Sequence, residues 1–177
     1  SNVCPANGCR GEDCTRTTEF DELVPQNRQD CISFNPDHAK VVQVRRRWKI
    51  EVDGMWLLDF GTQRNEAEQA LKIIQHYRLD SQCFVGRPHP SMEFYLVRGQ
   101  APKGAFPGED AISFNPQSLQ VQRVQGRWKI VEGNHWLMDF DQLEDEARQS
   151  LSYILRHGFQ YICFVGRPDP SMTYFRK

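Results

Sequence analysis

The chain has 177 residues, 39% hydrophobic and 25% charged, with a formal net charge of -1. That balance suits a globular chain of one large or two small domains and gives no electrostatic reason to expect nucleic acid or an anionic membrane as partner. No apolar run approaches the roughly 20 residues of a membrane span, and the opening on Ser1 instead of Met is expected of a processed or trimmed chain.

Residues 1–29 read as a polar tail carrying Cys4, Cys9 and Cys14, with Cys31 just beyond. These four cysteines are the disulfide candidates, and they allow three connectivities. Their spacing lacks the short C-x2-C knuckle of zinc sites and no His lies in the tail, so disulfides are expected and a metal is not. A disulfide-bearing tail implies an oxidising compartment, hence a secreted or cell-surface protein. Cys83 and Cys163 sit in apolar runs and are read as buried thiols, the alternative being that one of them takes a tail cysteine.

From Asp30 onward the chain repeats itself. Asp30–Val97 aligns with Asp110–Lys177 at an offset of 80 without a gap, and roughly 30 of about 68 positions are identical. The reading is a repeat unit at 30–97, a Gly- and Pro-bearing surface linker at 98–109 and a second unit at 110–177. Within a unit, Ile32–Pro36 alternates as a short strand ending in a turn, and Val41 and Val44 lead into the next strand. Arg47–Ile50 and Trp56–Phe60 then form a hairpin.

A three-residue loop at 53–55 pairs Trp48 with Phe60, Ile50 with Leu58, Val52 with Trp56 and Lys49 with Asp59. That register puts the apolar residues on one face and a matched ion pair on the other. It predicts buried tryptophans and leaves Leu57 and Leu137 unexplained. Residues 65–77 carry Ala67, Ala70, Leu71, Ile74 and Tyr77 on one helical stripe, with Asn65 and Asp145 as N-caps. Gly158 suits the end of the second helix.

A strand with three consecutive apolar residues follows, then Gly86-Arg87-Pro88-His89-Pro90-Ser91, which returns as Gly166 to Ser171 with Asp169 in place of His89. Paired prolines stiffen this bend. A last strand completes each unit. The expected fold class is α+β: a tandem duplication of a β-β-β-α-β-β unit, each an antiparallel sheet packed on one helix, related by a pseudo-two-fold axis.

Residue types kept in both copies mark positions that matter twice. The candidate ligand-binding residues are Arg87, Ser91, Arg167 and Ser171 on the proline bends, with Asn35 and Asn115 before Pro. An arginine fork suits a carboxylate, sulfate or sugar hydroxyls. It equally suits an internal fastening onto Asp59, Glu66 or loop carbonyls. All five histidines face a different residue type in the other copy, and no H-E-x-x-H, G-x-S-x-G or P-loop spacing occurs. No catalytic residue, metal or cofactor is expected. The resulting expectation is a secreted, non-catalytic module with two quasi-equivalent sites for an extracellular glycan or protein, lectin-like in the first case. The alternatives are a protein-binding domain such as a peptidase inhibitor and an enzyme with one active copy.

Overall fold

A computed structural model describes residues 29–177. The first half runs β1 (Asp30–Ser33), a 3-10 turn (Pro36–His38), β2 (Lys40–Val44), β3 (Arg47–Val52), β4 (Met55–Asp59), α1 (Arg64–Tyr77), β5 (Ser81–Val85) and β6 (Met92–Leu96). The second half follows the same order: β7 (Asp110–Ser113), a 3-10 turn (Pro116–Ser118), β8 (Leu119–Val124), β9 (Arg127–Glu132), β10 (His135–Asp139), α2 (Glu144–His157), β11 (Tyr161–Val165) and β12 (Met172–Arg176). The fold is α+β, with twelve strands in four small antiparallel sheets: β2-β3-β4, β1-β5-β6, β8-β9-β10 and β7-β11-β12.

Each half therefore has one strand more than the sequence pattern implied. The segment around Val41 and Val44 is a full strand, β2, paired with β3 from Lys40↔Glu51 to Val44↔Arg47. Its turn is Arg45-Arg46, with both residues at positive φ (52° and 69°). Two arginines carry none of the Gly or Asn signals that normally announce such a turn.

The β3–β4 hairpin corrects the expected three-residue loop at 53–55 and the expected pairing of Val52 with Trp56, since Val52 faces Met55. Its turn is the two-residue Asp53-Gly54, yet Lys49 faces Asp59 and Ile50 faces Leu58. The register shifts between Ile50 and Glu51, which leaves Leu57 as a bulge. One extra residue moves Trp56 off the core face and sets it opposite Glu51. Trp56 is consequently 52% exposed, and Trp136 in the matching β10 bulge is 58% exposed. The expected burial of these two indoles is thus overturned, while Trp48 and Trp128 are partly buried. Leu57 instead turns inward, at 6% exposure.

α1 buries Ala67, Ala70, Ile74 and Tyr77 of the predicted stripe; Leu71 is only partly buried, and Ile73, outside the stripe, is fully enclosed. Both helices begin one residue before the expected caps. Gln63 and Leu143 occupy the N-cap positions without a side-chain cap, so Asn65 and Asp145 lie inside the first turn. Backbone bonds from the preceding turn, such as Gln63 N to Phe60 O at 3.0 Å, fix the start instead. Gly158 ends α2 in the left-handed conformation, as expected.

The core is exchanged between halves. α1 and the β2-β3-β4 sheet share a cluster with Cys163, Val165, Met172 and Tyr174 of the second half. α2 and the β8-β9-β10 sheet enclose Cys83, Val85, Met92, Phe94 and Leu96 of the first. Each of the larger side chains contributes about 1.5–3 kcal/mol on burial, so both halves depend on strands they do not supply. Residues Cys31–Lys177 accordingly form one compact unit.

Cys31 and Cys83 form a disulfide. This corrects the reading of Cys83 as a free thiol and of Cys31 as a partner for the tail. Residue 31 is Cys where the second half has Ala111, and Ala111 faces Cys163 across β7–β11. Cys163 is thereby left as a free, buried thiol. Cys4, Cys9 and Cys14 lie outside the described residues.

The linker 98–109 also reaches inward. Glu109, with a side chain only 4% exposed, meets Arg176 at 2.8 Å. It accepts from Tyr77 Oη at 2.6 Å and from Tyr174 Oη. Burial pushes the Glu109 carboxyl up, but the hydrogen bonds from Tyr174, Tyr77 and Arg176 outweigh it and hold the group below its ordinary 4.5. A depressed folded-state pKa gives stability that is complete above 4.5 and lost as pH falls through the folded value. Glu109→Gln should therefore cost about 3 kcal/mol at pH 7 by leaving Arg176 unpaired. The variant should also lose stability less steeply than wild type below pH 4.5 in urea titrations; an unchanged acid limb would contradict the assignment.

Candidate functional site

Both proline bends are closed from beneath by a carboxylate of the other half. Ser171 N donates to Val165 O at 2.9 Å, and Ser171 Oγ donates to Glu66 Oε1 of α1 at 2.7 Å. Reciprocally, Ser91 Oγ donates to Glu146 of α2. Each acid sits in the first turn of its helix, where the dipole favours negative charge. The backbone leaves little room there: a Cβ at Gly166 would lie 2.6 Å from Glu66 Cδ, and one at Gly86 the same distance from Glu146 Cδ. The Arg87–Pro88 and Arg167–Pro168 peptides are cis.

The other candidate side chains are also engaged within the chain. Arg167 Nε donates to Asp110 Oδ2 at 2.8 Å, with Nη2 on the second oxygen, and its guanidinium lies 4.7 Å from the Phe164 ring centre. Arg87 covers Phe84 at 4.3 Å. The internal partner of Arg167 is thus Asp110, not the Asp59 or Glu66 that the sequence offered. Asn35 and Asn115 cap the 3-10 turns, each accepting from the backbone N–H two residues on at 2.9 and 3.0 Å. The candidate residues do not converge on one site. They fasten two separate turns in each half, the proline bend and the 3-10 turn.

What faces solvent is the outer surface of the β3–β4 and β9–β10 hairpins. Arg47 Nε donates to Asp59 at 2.9 Å, and Lys49 Nζ lies 3.5 Å from the same carboxylate. Arg127 and Asp139 repeat the first contact at 2.9 Å. Arg47 and Lys49 hold Asp59 below the ordinary range of an aspartate, Arg47 most strongly, against the opposing effect of burial. Beside each pair stands an exposed indole with a lysine over it: Lys49 Nζ is 5.2 Å from the Trp56 ring centre and Lys129 Nζ 4.2 Å from that of Trp136. Each patch therefore presents an aromatic face beside a fixed carboxylate and two cations. Alternation alone buries Trp56 and hides this site. The one visible sign is Leu57, an apolar residue stranded on a polar face.

A groove of about 270 Å³ opens beside Trp136, lined also by Asp139, Leu137, Ser91, Glu93 and Thr173. Glu93 accepts from Tyr95 Oη, and Gln82 Nε2 donates to Tyr95 Oη at 3.0 Å and to Leu57 O at 3.0 Å. Burial pushes the Glu93 carboxyl up to about 7 despite the hydrogen bonds from Tyr95 and Gln82. Burial likewise raises the Cys163 thiol to about 12, so it is protonated and unreactive at neutral pH. His157 packs against Phe94 and Phe159 and is held near 4 by burial, then by Arg156 and Lys177. Comparison with protein-family models, curated proteins and solved structures returns no match to this chain.

The carboxylate beneath the bend makes a prediction. Gly166 has φ +87°, and an added methyl collides with Glu66. Gly166→Ala should destabilise the protein by about 3 kcal/mol, combining backbone strain with displacement of the carboxylate. Gly133→Ala, in open space at the β9–β10 turn, should cost about 1 kcal/mol from strain alone. Equal costs in chemical denaturation would rule out the cross-half contact as the cause.

Proposed function

We propose that this chain is a secreted, non-catalytic carbohydrate-binding module. In this reading it arose by tandem duplication of one unit, its halves are related by a pseudo-two-fold axis, and the two binding patches centre on Trp56 and Trp136. The observation that carries the proposal is the pair of indoles, 52% and 58% exposed at matching positions. A large apolar surface held in water by a β-bulge at equivalent places in both halves is costly unless something covers it. Each indole offers a flat face to the C–H side of a sugar ring. Asp59 or Asp139 beside it accepts hydroxyl protons, and the neighbouring Arg and Lys donate to hydroxyl oxygens.

The polar residues shared by both halves then have a division of labour. Arg167 and Ser171, with Ser91, stiffen the bends and the core exchange. Arg47, Lys49 and Asp59, with their counterparts, shape the binding surface. Two sites on one rigid body bind multivalent glycans with a high effective local concentration. The Cys31–Cys83 disulfide is compatible with an extracellular setting, and among the described residues no helix is long and apolar enough to cross a membrane.

The test is a glycan array probed with wild type and with Trp56→Ala/Trp136→Ala. Wild type should bind a defined subset of glycans, and the double variant should lose that signal while keeping its thermal unfolding midpoint. Retained glycan binding by the double variant would move the site off the hairpins, and no glycan signal from wild type would favour a protein ligand.

A further inference from the structure

The two tryptophan patches differ in their surroundings. Trp136 and Leu137 line two grooves, not one. The first, of about 270 Å³, carries Ser91, Glu93, Asp139 and Thr173 as its polar groups. The second, of about 350 Å³, carries Ser113, Glu132 and His135, with Ile112 as an apolar floor. The indole thus stands as a partition between two adjoining recesses, each with hydrogen-bonding side chains.

Around Trp56 the corresponding residues differ. Gln82 stands where the second half has Ile162, and its amide is spent on Leu57 O and Tyr95 Oη. Leu57 is buried at 6%, whereas Leu137 is partly exposed. On the other side of Trp56, Val52 and Met55 occupy the positions of Glu132 and His135, and the carboxylate opposite Trp56, Glu51, already accepts from Gly54 N at 3.0 Å and lies 3.7 Å from Lys40 Nζ. Glu93 itself comes from the first half and reaches the Trp136 groove because β6 lies next to β12 at the centre of the molecule. The Trp136 site is therefore built from both halves.

Resting on the carbohydrate reading above, we propose that Trp136 is the principal binding site and takes an uncharged oligosaccharide, one ring in the groove of Glu93 and Asp139 and the next in the groove of Glu132 and His135. The chemistry selects against charge. Glu93, Asp139 and Glu132 line the two recesses, against Arg127 on Asp139 and Lys129 over Trp136, so the acids outnumber the cations and weigh against a uronate or a sulfated sugar. A neutral sugar instead presents paired hydroxyls that carboxylates accept well. Glu93, held near 7, is able both to donate and to accept at neutral pH. Its hydrogen bond from Tyr95 fixes its orientation before a ligand arrives.

The experiment is a calorimetric and fluorescence titration of the full chain with neutral tetrasaccharides (cello-, malto-, manno- and N-acetylchito-series), the matching methyl monosaccharides and a galacturonate tetramer. At least one neutral tetrasaccharide should bind about tenfold or more tighter than its monosaccharide, as two adjoining ring sites require. The galacturonate tetramer should not compete. Trp136→Ala should weaken that binding about tenfold or more, Glu93→Gln by several-fold, and Trp56→Ala by less than about twofold. Equal losses from Trp56→Ala and Trp136→Ala would overturn this inference while leaving the carbohydrate reading standing. Tight binding of the galacturonate tetramer would overturn the selection against charge. Absence of binding by wild type to every sugar tested would overturn both readings together.

Discussion

A glutamate in the first turn of each helix lies under the proline bend of the opposite half, and the rest of the architecture depends on that exchange. Glu66 accepts from Ser171 and fills the space a side chain at Gly166 would need; Glu146 does the same for Ser91 and Gly86. The carboxylates pin each helix across strands that its own half does not provide. Apolar packing follows the same course, with Val165, Met172 and Tyr174 in the first core and Val85, Met92 and Phe94 in the second. Units of about 70 residues bury too little surface to be secure alone. Sharing two cores across one molecule removes that limit, and Glu109 locks the connection by holding Tyr77 of one half and Tyr174 and Arg176 of the other.

With stability placed in the exchanged centre, the hairpins are free to carry a surface that does not serve packing. The bulges at Leu57 and Leu137 turn one tryptophan outward in each sheet; Leu57 is buried, while Leu137 stays partly exposed. The ion pairs Arg47–Asp59 and Arg127–Asp139 then order the surface around the indoles. Exposed pairs of this kind add little to stability. Repeated in both halves, they fix Asp59 and Asp139 on the surface that carries the indoles, a geometry that the proposed function would use for recognition.

Much of this was legible in the residues. Alternation and turn chemistry located the β3–β4 hairpin, and matched charges gave the Lys49–Asp59 pairing. The apolar stripe of α1 and the left-handed end of α2 at Gly158 followed from helical spacing. Other features were hidden for physical reasons. A bulge breaks the period-2 rule at one residue, so counting from the Lys49–Asp59 end of the hairpin misplaces Trp56. In the first half the turn that closes β2 is Arg45-Arg46, at positive φ without the residue types that usually permit it; in the second, Gly126 alone marks the matching turn. The Cys31–Cys83 bond was obscured because Cys163, its counterpart by offset, remains a thiol. No spacing rule says that Glu66 meets Ser171, since two residues 105 positions apart become neighbours only through tertiary structure.

The exchanged core is tested most directly by dividing the chain at the linker. Fragments 1–97 and 98–177, prepared separately and followed by near-ultraviolet circular dichroism and urea unfolding, should each lack a cooperative transition, and mixing them should restore one. A fragment that unfolds cooperatively alone, with no gain on mixing, would contradict the account.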